Sequence, residues 1–366
     1  MKTAARWSQS PFWQRTGKRI GRAGRHLSNR AMGRILPLPL NRRIEDLPPV
    51  HSVLLVRPNI RIGNTILATP FVPALRAMFP GARLFVLGTE TSELLLRNLP
   101  VDGVYVVSRS FILRPWRMLA LLRRLRAEKF DVAVEAGMGS FSGSLYGWLS
   151  GARYRIGVEG PASRLLNVRV PRPQVAHVRD RIPSFVRSLG AECDDTLIYR
   201  VAPEEADAAT RLLRDATRAD QALESGFLAV FVGGHLDKRV PNEQWVDIVA
   251  CLDADGVRFV LLAGPEEHGL RKLLAVSHRL ERHLLPPQSL RVVAAVLDRA
   301  ALVVTTDSGP MHLAVALGRP TIALLERERS MRFRPRGPDD RALMKPGTDE
   351  VIDAVRRHPA WSSIAG

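Results

Sequence analysis

Short apolar runs alternate with longer segments of helical spacing from Ser52 onward, and this alternation constrains the fold more than any other feature of the chain. Short apolar runs between turn signals are typical of buried strands, and the longer segments are typical of amphipathic helices. The pattern predicts parallel sheets with helices on their faces. A first series has predicted strands near residues 52–57, 83–88, 103–107, 131–135 and 153–157, with helices near 64–79, 91–98, 114–128 and 141–150. A second series has strands near 227–232, 257–263, 301–305 and 320–325, with helices near 242–254, 266–281, 290–299 and 308–318.

The chain length predicts two domains, because 366 residues exceed what one hydrophobic core usually supports. We expect an α/β protein with two Rossmann-like, doubly wound domains that face each other across a cleft. Ligands in such sheets bind beyond the carboxyl ends of the strands. The predicted units are a basic segment 1–50, a first domain 51–200, a linker region 201–225 with the helix candidate "PEEADAATRLLRDA", a second domain 226–345, and a C-terminal helix and tail 346–366.

Positive charge is concentrated in the first fifty residues. They hold eleven Lys or Arg against Glu45 and Asp46, a net +9 that is half of the chain's +18. Aromatic and aliphatic residues such as Trp7 and Trp13 lie among these charges, a mixture suited to an anionic membrane surface. A solvated, disordered leader is the alternative, because glycines weaken any continuous helix there. The same charge would attract nucleic acid, which we regard as an unlikely partner.

The remaining composition predicts a cytoplasmic protein, which the basic segment 1–50 would hold peripherally on the cytoplasmic face of the inner membrane. Cys193 and Cys251 are far apart and have no CxxC spacing, so neither a zinc site nor a disulfide framework is indicated. No apolar stretch is long enough to span a bilayer, and the N-terminus lacks the apolar core of an export signal.

The stretch "LVVTTDSGPMHLAVALGRPTIALL" (302–325) reads as strand, tight turn, helix, glycine stop and strand. Asp307 or Ser308 can cap the helix, and Pro310 suits its first turn. Backbone N–H groups of the turn would then face an anion, and Gly309 permits close approach of a phosphate. His312 can add a hydrogen bond to a phosphate or sugar oxygen. The alternative is an ordinary capped βαβ unit.

A second loop, "GGHLDKRVPNEQW" (233–245), follows the apolar run "FLAVFV". Lys238 and Arg239 bring cations to the end of a predicted strand, and Asn242 is a candidate cap for the next helix. A mobile lysine charge and an arginine fork suit a diphosphate and can neutralise it without a metal. The alternative is a solvated basic loop.

Other chemistries lack their motifs. No HExxH, GxSxG or P-loop pattern is present, and no GxGxxG follows the first predicted strand. The stretch "DADG" (253–256) superficially matches a DxD metal motif, but it ends a predicted helix and precedes a strand. We interpret it as a turn.

"DSGPMHLAVALGRPTIAL", "DKRVPNEQW" and "LLVRPNIRIGNTILATPFVPALRAMFPGARLFVL" together resemble glycosyltransferase family 9, the bacterial lipopolysaccharide heptosyltransferases. The resemblance covers roughly residues 51–357. It implies a GT-B architecture with the acceptor on the first domain and the nucleotide sugar on the second. It also implies metal-independent transfer with inversion and no cofactor, usually of heptose from ADP-heptose to a lipid-linked saccharide of the lipopolysaccharide core.

The resemblance assigns residues to the two substrates. Lys238 matches the family's phosphate-binding lysine, and the loop "AGPEEH" resembles the segment that holds the nucleoside, with Glu266 or Glu267 as the acceptor of ribose hydroxyls. The implied donor-binding residues are Lys238, Arg239, Gly264, Glu266, Asp307, Ser308, Gly309 and His312. The implied acceptor-binding residues are Arg57, Arg61 and Thr65, and the arginines can pair with acidic sugars or phosphates.

Asn64 departs from the family pattern. Many members have an aspartate there, the usual candidate for the general base, and an amide cannot take a proton. Glu135, at the end of the strand in "FDVAVEAG", is the candidate substitute, although a structural carboxylate that caps the next segment fits equally well. Asn64 would then orient the acceptor. Alternatively, Lys238 and the helix end carry most of the catalysis, or the protein is a non-catalytic binder of sugar nucleotides or glycolipids.

Overall fold

The computed structural model describes residues 38–108, 114–216, 226–234, 238–264, 267, 269, 273–274 and 282–366. Four predictions fall wholly or partly outside the described residues: most of the basic segment 1–50, the end of the linker 201–225, most of the helix 266–281, and Glu266.

Six parallel strands form the first sheet, in the order β3-β2-β1-β4-β5-β6. This order is typical of a dinucleotide-binding Rossmann domain. The strands are β1 Ser52–Val56, β2 Arg83–Gly88, β3 Gly103–Val106, β4 Val132–Glu135, β5 Tyr154–Val158 and β6 Val168–Val170. The helices are α1 Ile62–Ile66, α2 Phe71–Met78, α3 Glu90–Leu96, α4 Pro115–Ala127, α5 Phe141–Leu149 and α6 Arg181–Arg187.

Five parallel strands form the second sheet, in the order β11-β10-β9-β7-β8. Read from β8, this is the flavodoxin-like doubly wound order. The strands are β7 Leu228–Phe231, β8 Phe259–Leu262, β9 Leu302–Thr306, β10 Thr321–Leu325 and β11 Arg341–Met344. The helices are α7 Pro203–Ala216, α8 Asn242–Ala254, α9 Leu290–Arg299, α10 Gly309–Ala316, α11 Thr348–Arg356 and α12 Trp361–Ile364. Short 3-10 helices cover Ile44–Asp46, Ser163–Leu165, Val178–Asp180 and Glu328–Phe333.

Central strands are buried along their whole length, as in β1. Val53 and Leu55 of β1 belong to one apolar cluster, whereas Leu54 and Val56 belong to another. Helices therefore cover both faces of the sheet, which is why these strands read as continuous apolar runs. The α/β, doubly wound prediction is confirmed.

The predicted helix 64–79 is two helices, α1 and α2, separated by a turn. Pro70 precedes α2 and lacks the backbone N–H that a continuous helix would need there. The strands β6 and β11 were not predicted. Both lie at a sheet edge and have only three or four residues, too few for an alternating pattern to be recognised in the sequence.

Two glycines lie just beyond the ends of helices, as the sequence predicts. Gly318, just beyond α10, has φ of +70°, and Gly256, in the "DADG" turn after α8, has φ of +69°. Glycine adopts this left-handed region without the strain a side chain would add. The predicted C-terminal segment 346–366 packs on the second domain, because Val351 and Ile364 lie in its core.

The domains meet through α1 and α10. A Cβ on Gly63 would lie 2.6 Å from Cδ2 of His312, and a Cβ on Gly309 would lie 2.7 Å from Cβ of Ile62. Such distances are shorter than any ordinary carbon contact, so both glycines are needed for this approach. In the described part of the chain, no helix is long and apolar enough to cross a membrane.

A buried ionic contact ties α7 and α9 to the first domain. Arg291 donates from Nε to Glu205 and from Nη1 to the carbonyl oxygen of Leu94 in α3. Glu205 also lies 3.3 Å from Nη2 of Arg97. The side chains of Arg291 and Glu205 are each 6% exposed, so either charge would be costly without the other.

We predict that Glu205→Ala lowers the free energy of unfolding by about 3 to 5 kcal/mol, because it leaves the Arg291 charge buried and unpaired. The control is Glu204→Ala, since the neighbouring Glu204 side chain is 70% exposed and should contribute less than about 1 kcal/mol. Urea unfolding of both variants measures the difference. Equal effects of the two changes would contradict the burial argument.

Candidate functional site

The loops after β7 and β9 lie side by side at the point where the strand order of the second sheet reverses. β7 pairs with β8 on one side and with β9 on the other. The hydroxyl of Thr306, the last residue of β9, donates to the carbonyl oxygen of Gly233 in the loop after β7. Because ligands of doubly wound sheets bind at this reversal, the two loops form the leading candidate site.

Lys238 and Asp307 join these loops. Nζ of Lys238 lies 2.6 Å from Oδ2 of Asp307; the aspartate side chain is 4% exposed and that of the lysine 29%. Ser330 donates its hydroxyl to the same Oδ2. An ammonium group has three N–H donors, so a lysine held by one carboxylate oxygen retains donors for a ligand. The partial exposure of Lys238 leaves a route to them.

The start of α10 faces the same region without a side-chain cap. Ser308 is the N-cap residue, but its side chain makes no capping hydrogen bond. Asp307 does not cap either, since its carboxylate is bound by Lys238 and Ser330. The expected side-chain cap is therefore absent, and the positive end of the helix keeps its capacity for an anion. Gly309 is constrained chiefly by Ile62 of the first domain, a reason that the sequence did not reveal.

His312 is enclosed between the domains. Its ring contacts the backbone of α1 at Gly63, and its centroid lies 6.2 Å from that of Phe333 in an edge-on arrangement. Burial is the main cause that lowers the pKa of His312 to about 4; the charge of Lys238 lowers it further and Asp307 opposes the shift. The ring is therefore neutral near pH 7, and its predicted contact to a phosphate or sugar would be a neutral hydrogen bond.

A cavity of about 100 Å³ flanks the loop that carries Lys238. Its polar lining comes from Arg239, Asn242 and Glu267. Glu267 accepts from the backbone N–H of Gly234 at 3.3 Å and from Nη2 of Arg239 at 3.4 Å. Gly264 lies beside it, since a Cβ there would be 3.0 Å from Oε2 of Glu267. Asn242 is not the expected cap, because α8 begins at Asn242 itself and Pro241 precedes it.

Glu135 lies at the carboxyl end of β4, directly opposite Val56 of β1. Its carboxylate accepts from the backbone N–H groups of Gly137 at 2.5 Å, Gly139 at 2.7 Å and Ser140 at 3.2 Å. Burial, the largest cause, raises its pKa, while these amides and Arg57 act in the opposite direction. This geometry matches the alternative in which Glu135 is a structural carboxylate that caps the next segment. The structure describes no contact between Glu135 and Asn64 that would support the predicted role as a base.

The predicted acceptor residues occupy different environments. Arg57 follows β1, and burial lowers its pKa, although the charge of Glu135 opposes this. Arg61 is exposed just before α1, and Asn64 is half-buried on that helix. Thr65 is fully buried and its hydroxyl donates to the carbonyl oxygen of Arg61, so it lies on the buried side of α1 and offers no surface to an acceptor.

Comparisons with known proteins identify the family of the chain. The family model described as glycosyltransferase family 9 (heptosyltransferase) matches residues 118–358. The chain belongs to this family. Lipopolysaccharide heptosyltransferase 1 of Escherichia coli K12 is 31% identical over 215 residues, which cover 56% of this chain and only 63% of that relative.

Solved structures share the fold. The E. coli heptosyltransferase WaaC with ADP gives a TM-score of 0.62 at 22% identity, covering 86% of this chain and 99% of the other. The same enzyme with ADP-2-deoxy-2-fluoro heptose gives 0.61 at 23% identity, covering 84% and 98%. Together with the two parallel sheets, these likenesses confirm the GT-B architecture.

Several residues of this candidate site were not predicted. Thr306 lies next to the recognised motif and could have been included with it. Ser330 and Phe333, over whose ring Nζ of Lys238 lies at 5.7 Å, come from "RERSMRFRPRG", a stretch without a recognisable motif. Ile62 and Gly63 lie next to Asn64 in the sequence, but their contact with α10 forms only when the two domains come together.

His312 should make stability depend on pH. The pKa of His312 in the folded protein is about 4, below its ordinary value in the unfolded chain. The contribution of the neutral ring to the free energy of unfolding is therefore fully present above the unfolded pKa, and it is lost as the pH falls toward the folded pKa. From about pH 7 to about pH 5, the wild type should lose about 2 kcal/mol more unfolding free energy than His312→Gln. Denaturant titrations measure this, with the exposed His51→Gln as control. Parallel pH curves for wild type and His312→Gln would contradict it.

Proposed function

We propose that the protein is an inverting, metal-independent glycosyltransferase that moves a heptose from ADP-heptose to a lipid-linked saccharide of the lipopolysaccharide core. Membership of family 9 supports the reaction class. The donor is supported by the ADP-containing ligands named for WaaC, and the acceptor by the name of the E. coli relative.

The contact between Lys238 and Asp307 beside the uncapped start of α10 carries this proposal. In the reaction, an acceptor hydroxyl oxygen attacks the anomeric carbon from the face opposite the diphosphate, and the bond from that carbon to the diphosphate oxygen breaks. Negative charge grows on the departing diphosphate. Lys238 and the amides at the start of α10 would stabilise that charge, and Asp307 would keep Lys238 in position.

The acceptor proton must leave as the new bond forms, and Asn64 cannot take it. Glu135 is one candidate base, since burial keeps its pKa above the ordinary carboxyl value. Its hydrogen bonds to Gly137, Gly139 and Ser140 favour a structural role. The other route relies on leaving-group stabilisation, with the proton lost late to water or phosphate.

A transfer assay tests the proposal. Purified protein, ADP-heptose and a heptose-deficient core acceptor should yield ADP and a glycosylated product, and should do so with a chelator present. Lys238→Ala should lower kcat by about 10²-fold or more, because a preorganised charge at the leaving group is lost. Lys129→Ala is the control, since Lys129 is exposed just before β4, at the amino-terminal end of a strand of the first sheet. Donor binding with no turnover would instead support the binder that Asn64 suggests.

The same assay distinguishes the two proton routes. If Glu135 is the base, Glu135→Gln should lower kcat by roughly 10² to 10⁴ with little change in KM. Asn64→Asp, added to the Glu135→Gln variant, should then restore part of the lost rate. If Glu135 only caps its loop, the rate of Glu135→Gln should remain within a few fold of wild type. That second result would remove Glu135 from the mechanism.

We also propose that the protein works at the cytoplasmic face of the inner membrane, bound to its anionic surface. The basic residues 1–50 support this, as does the outer face of α4. That helix has no acidic residue, and its Trp116 and Leu119 side chains are 64% and 48% exposed. Apolar side chains beside arginines are typical of helices that lie on anionic lipid.

Vesicle binding tests this placement. In the full chain, Trp116→Ser with Leu119→Ser should lower partition to phosphatidylglycerol-containing vesicles about tenfold, because apolar anchors are lost. The control is Leu94→Ser, since Leu94 is 42% exposed on α3, where it belongs to neither segment. Equal partition of the double variant and wild type would remove α4 from the membrane surface.

A further inference from the structure

Arginines from both domains gather above the carboxyl end of the first sheet. Arg57 follows β1, Arg172 follows β6, Arg181 begins α6, and Arg332 comes from the 3-10 helix Glu328–Phe333 of the second domain. Nη1 of Arg57 lies 2.9 Å from where a Cβ on Gly137 would be. The guanidinium of Arg172 occupies the space beside Gly139, so both arginines border the loop that Glu135 holds.

The four cations are close enough to influence one another. Burial lowers the pKa of Arg181, and the charges of Arg332 and Arg172 lower it further. The pKa of Arg57 is lowered by burial and, to a smaller extent, by Arg181. Like charges held together in this way cost free energy unless an anion accompanies them.

Little negative charge faces this cluster within the part of the chain that the structure describes. Glu135 acts on Arg57, but its oxygens are already bound by three backbone amides. Nearby Asp180 and Asp195 are engaged by Arg336, and Asp195 also by Arg179. Nε of Arg57 is buried and has no hydrogen-bond partner among the described residues. A buried donor without an acceptor is costly, so the inner end of the cluster is electrostatically unsatisfied.

Arg332 brings the second domain into the cluster. Its Nε donates to the carbonyl oxygen of Ala176 at 3.2 Å and its Nη2 to that of Val175 at 3.3 Å. These bonds fix one edge of the guanidinium on the first domain. The side chain remains exposed, and its other N–H groups can reach a ligand.

We propose that Arg172, Arg181 and Arg332, with Arg57 at the inner end, form an anion subsite that holds a carboxylate or phosphate of the acceptor. The inference rests on the proposed function for the identity of the ligand as acceptor. A planar guanidinium binds either group through paired hydrogen bonds. Because Arg332 belongs to the donor domain, the anion also bridges the two domains and would favour their closed arrangement.

Binding of small anionic sugars tests the subsite apart from catalysis. Ligand-observed NMR titrations of the full chain would use glucuronate for the carboxylate, glucose 6-phosphate for the phosphate, and glucose as the neutral control. At least one anionic sugar should bind, and the stronger one identifies the group. Arg172→Ala with Arg332→Ala should weaken that binding at least tenfold. Arg187→Ala, exposed at the end of α6, should leave it unchanged.

Lys238→Ala separates this subsite from the donor site. Binding of the anionic sugar should survive that change, since Lys238 lies in the loop after β7 and contacts Asp307 in the loop after β9. Loss of binding in Lys238→Ala without loss in the double arginine variant would overturn the subsite, as would equal binding of glucose and both anions. If the subsite binds as expected but no transfer occurs, the proposed function fails and the anion subsite stands.

Discussion

The ion pair between Lys238 and Asp307 connects two loops that are far apart in sequence and adjacent in the second sheet. Asp307 is buried, so its charge requires a partner, and Lys238 supplies one while remaining partly exposed. Ser330 fixes the same carboxylate oxygen from a third segment. This arrangement fixes the position of the lysine and keeps the Asp307 carboxylate from capping α10. The neutrality of His312 follows chiefly from its burial.

The contact between domains places α1 beside α10, the helix that begins two residues after Asp307. Without side chains at Gly63 and Gly309, α1 and α10 approach closely enough for His312 to be enclosed between them. The buried contact of Arg291 with Glu205 and Leu94 holds the domains at a second place. In the proposed reaction, exclusion of water from the diphosphate by these contacts would strengthen every charge interaction within the site.

Much of this architecture is legible in the sequence, because parallel strands covered on both faces leave continuous apolar runs. The predicted series of strands reproduces β1 to β5 and β7 to β10 to within a few residues. Edge strands such as β11 escape this signal, since they are less buried and too short to show a period. The interruption at Pro70 was readable in principle, but the apolar spacing on either side obscured it.

The site was predicted less completely, for a different physical reason. Lys238 and Asp307 were predicted together because strand ends meet at one edge of a sheet, and the structure brings them into contact. The amide contacts of Glu135 depend on the path of its own loop. The arginine cluster needs residues from separate loops and both domains, such as Arg181 and Arg332. No local sequence pattern predicts which of these arginines lie close together in the folded protein.

A crystal structure of the protein with ADP tests the central claim most directly. The account predicts that the β-phosphate oxygens lie within hydrogen-bond distance of Nζ of Lys238 and of the backbone N–H groups that follow Asp307, with the ion pair to Asp307 retained. A diphosphate bound elsewhere, with Lys238 contacting only Asp307, would contradict it.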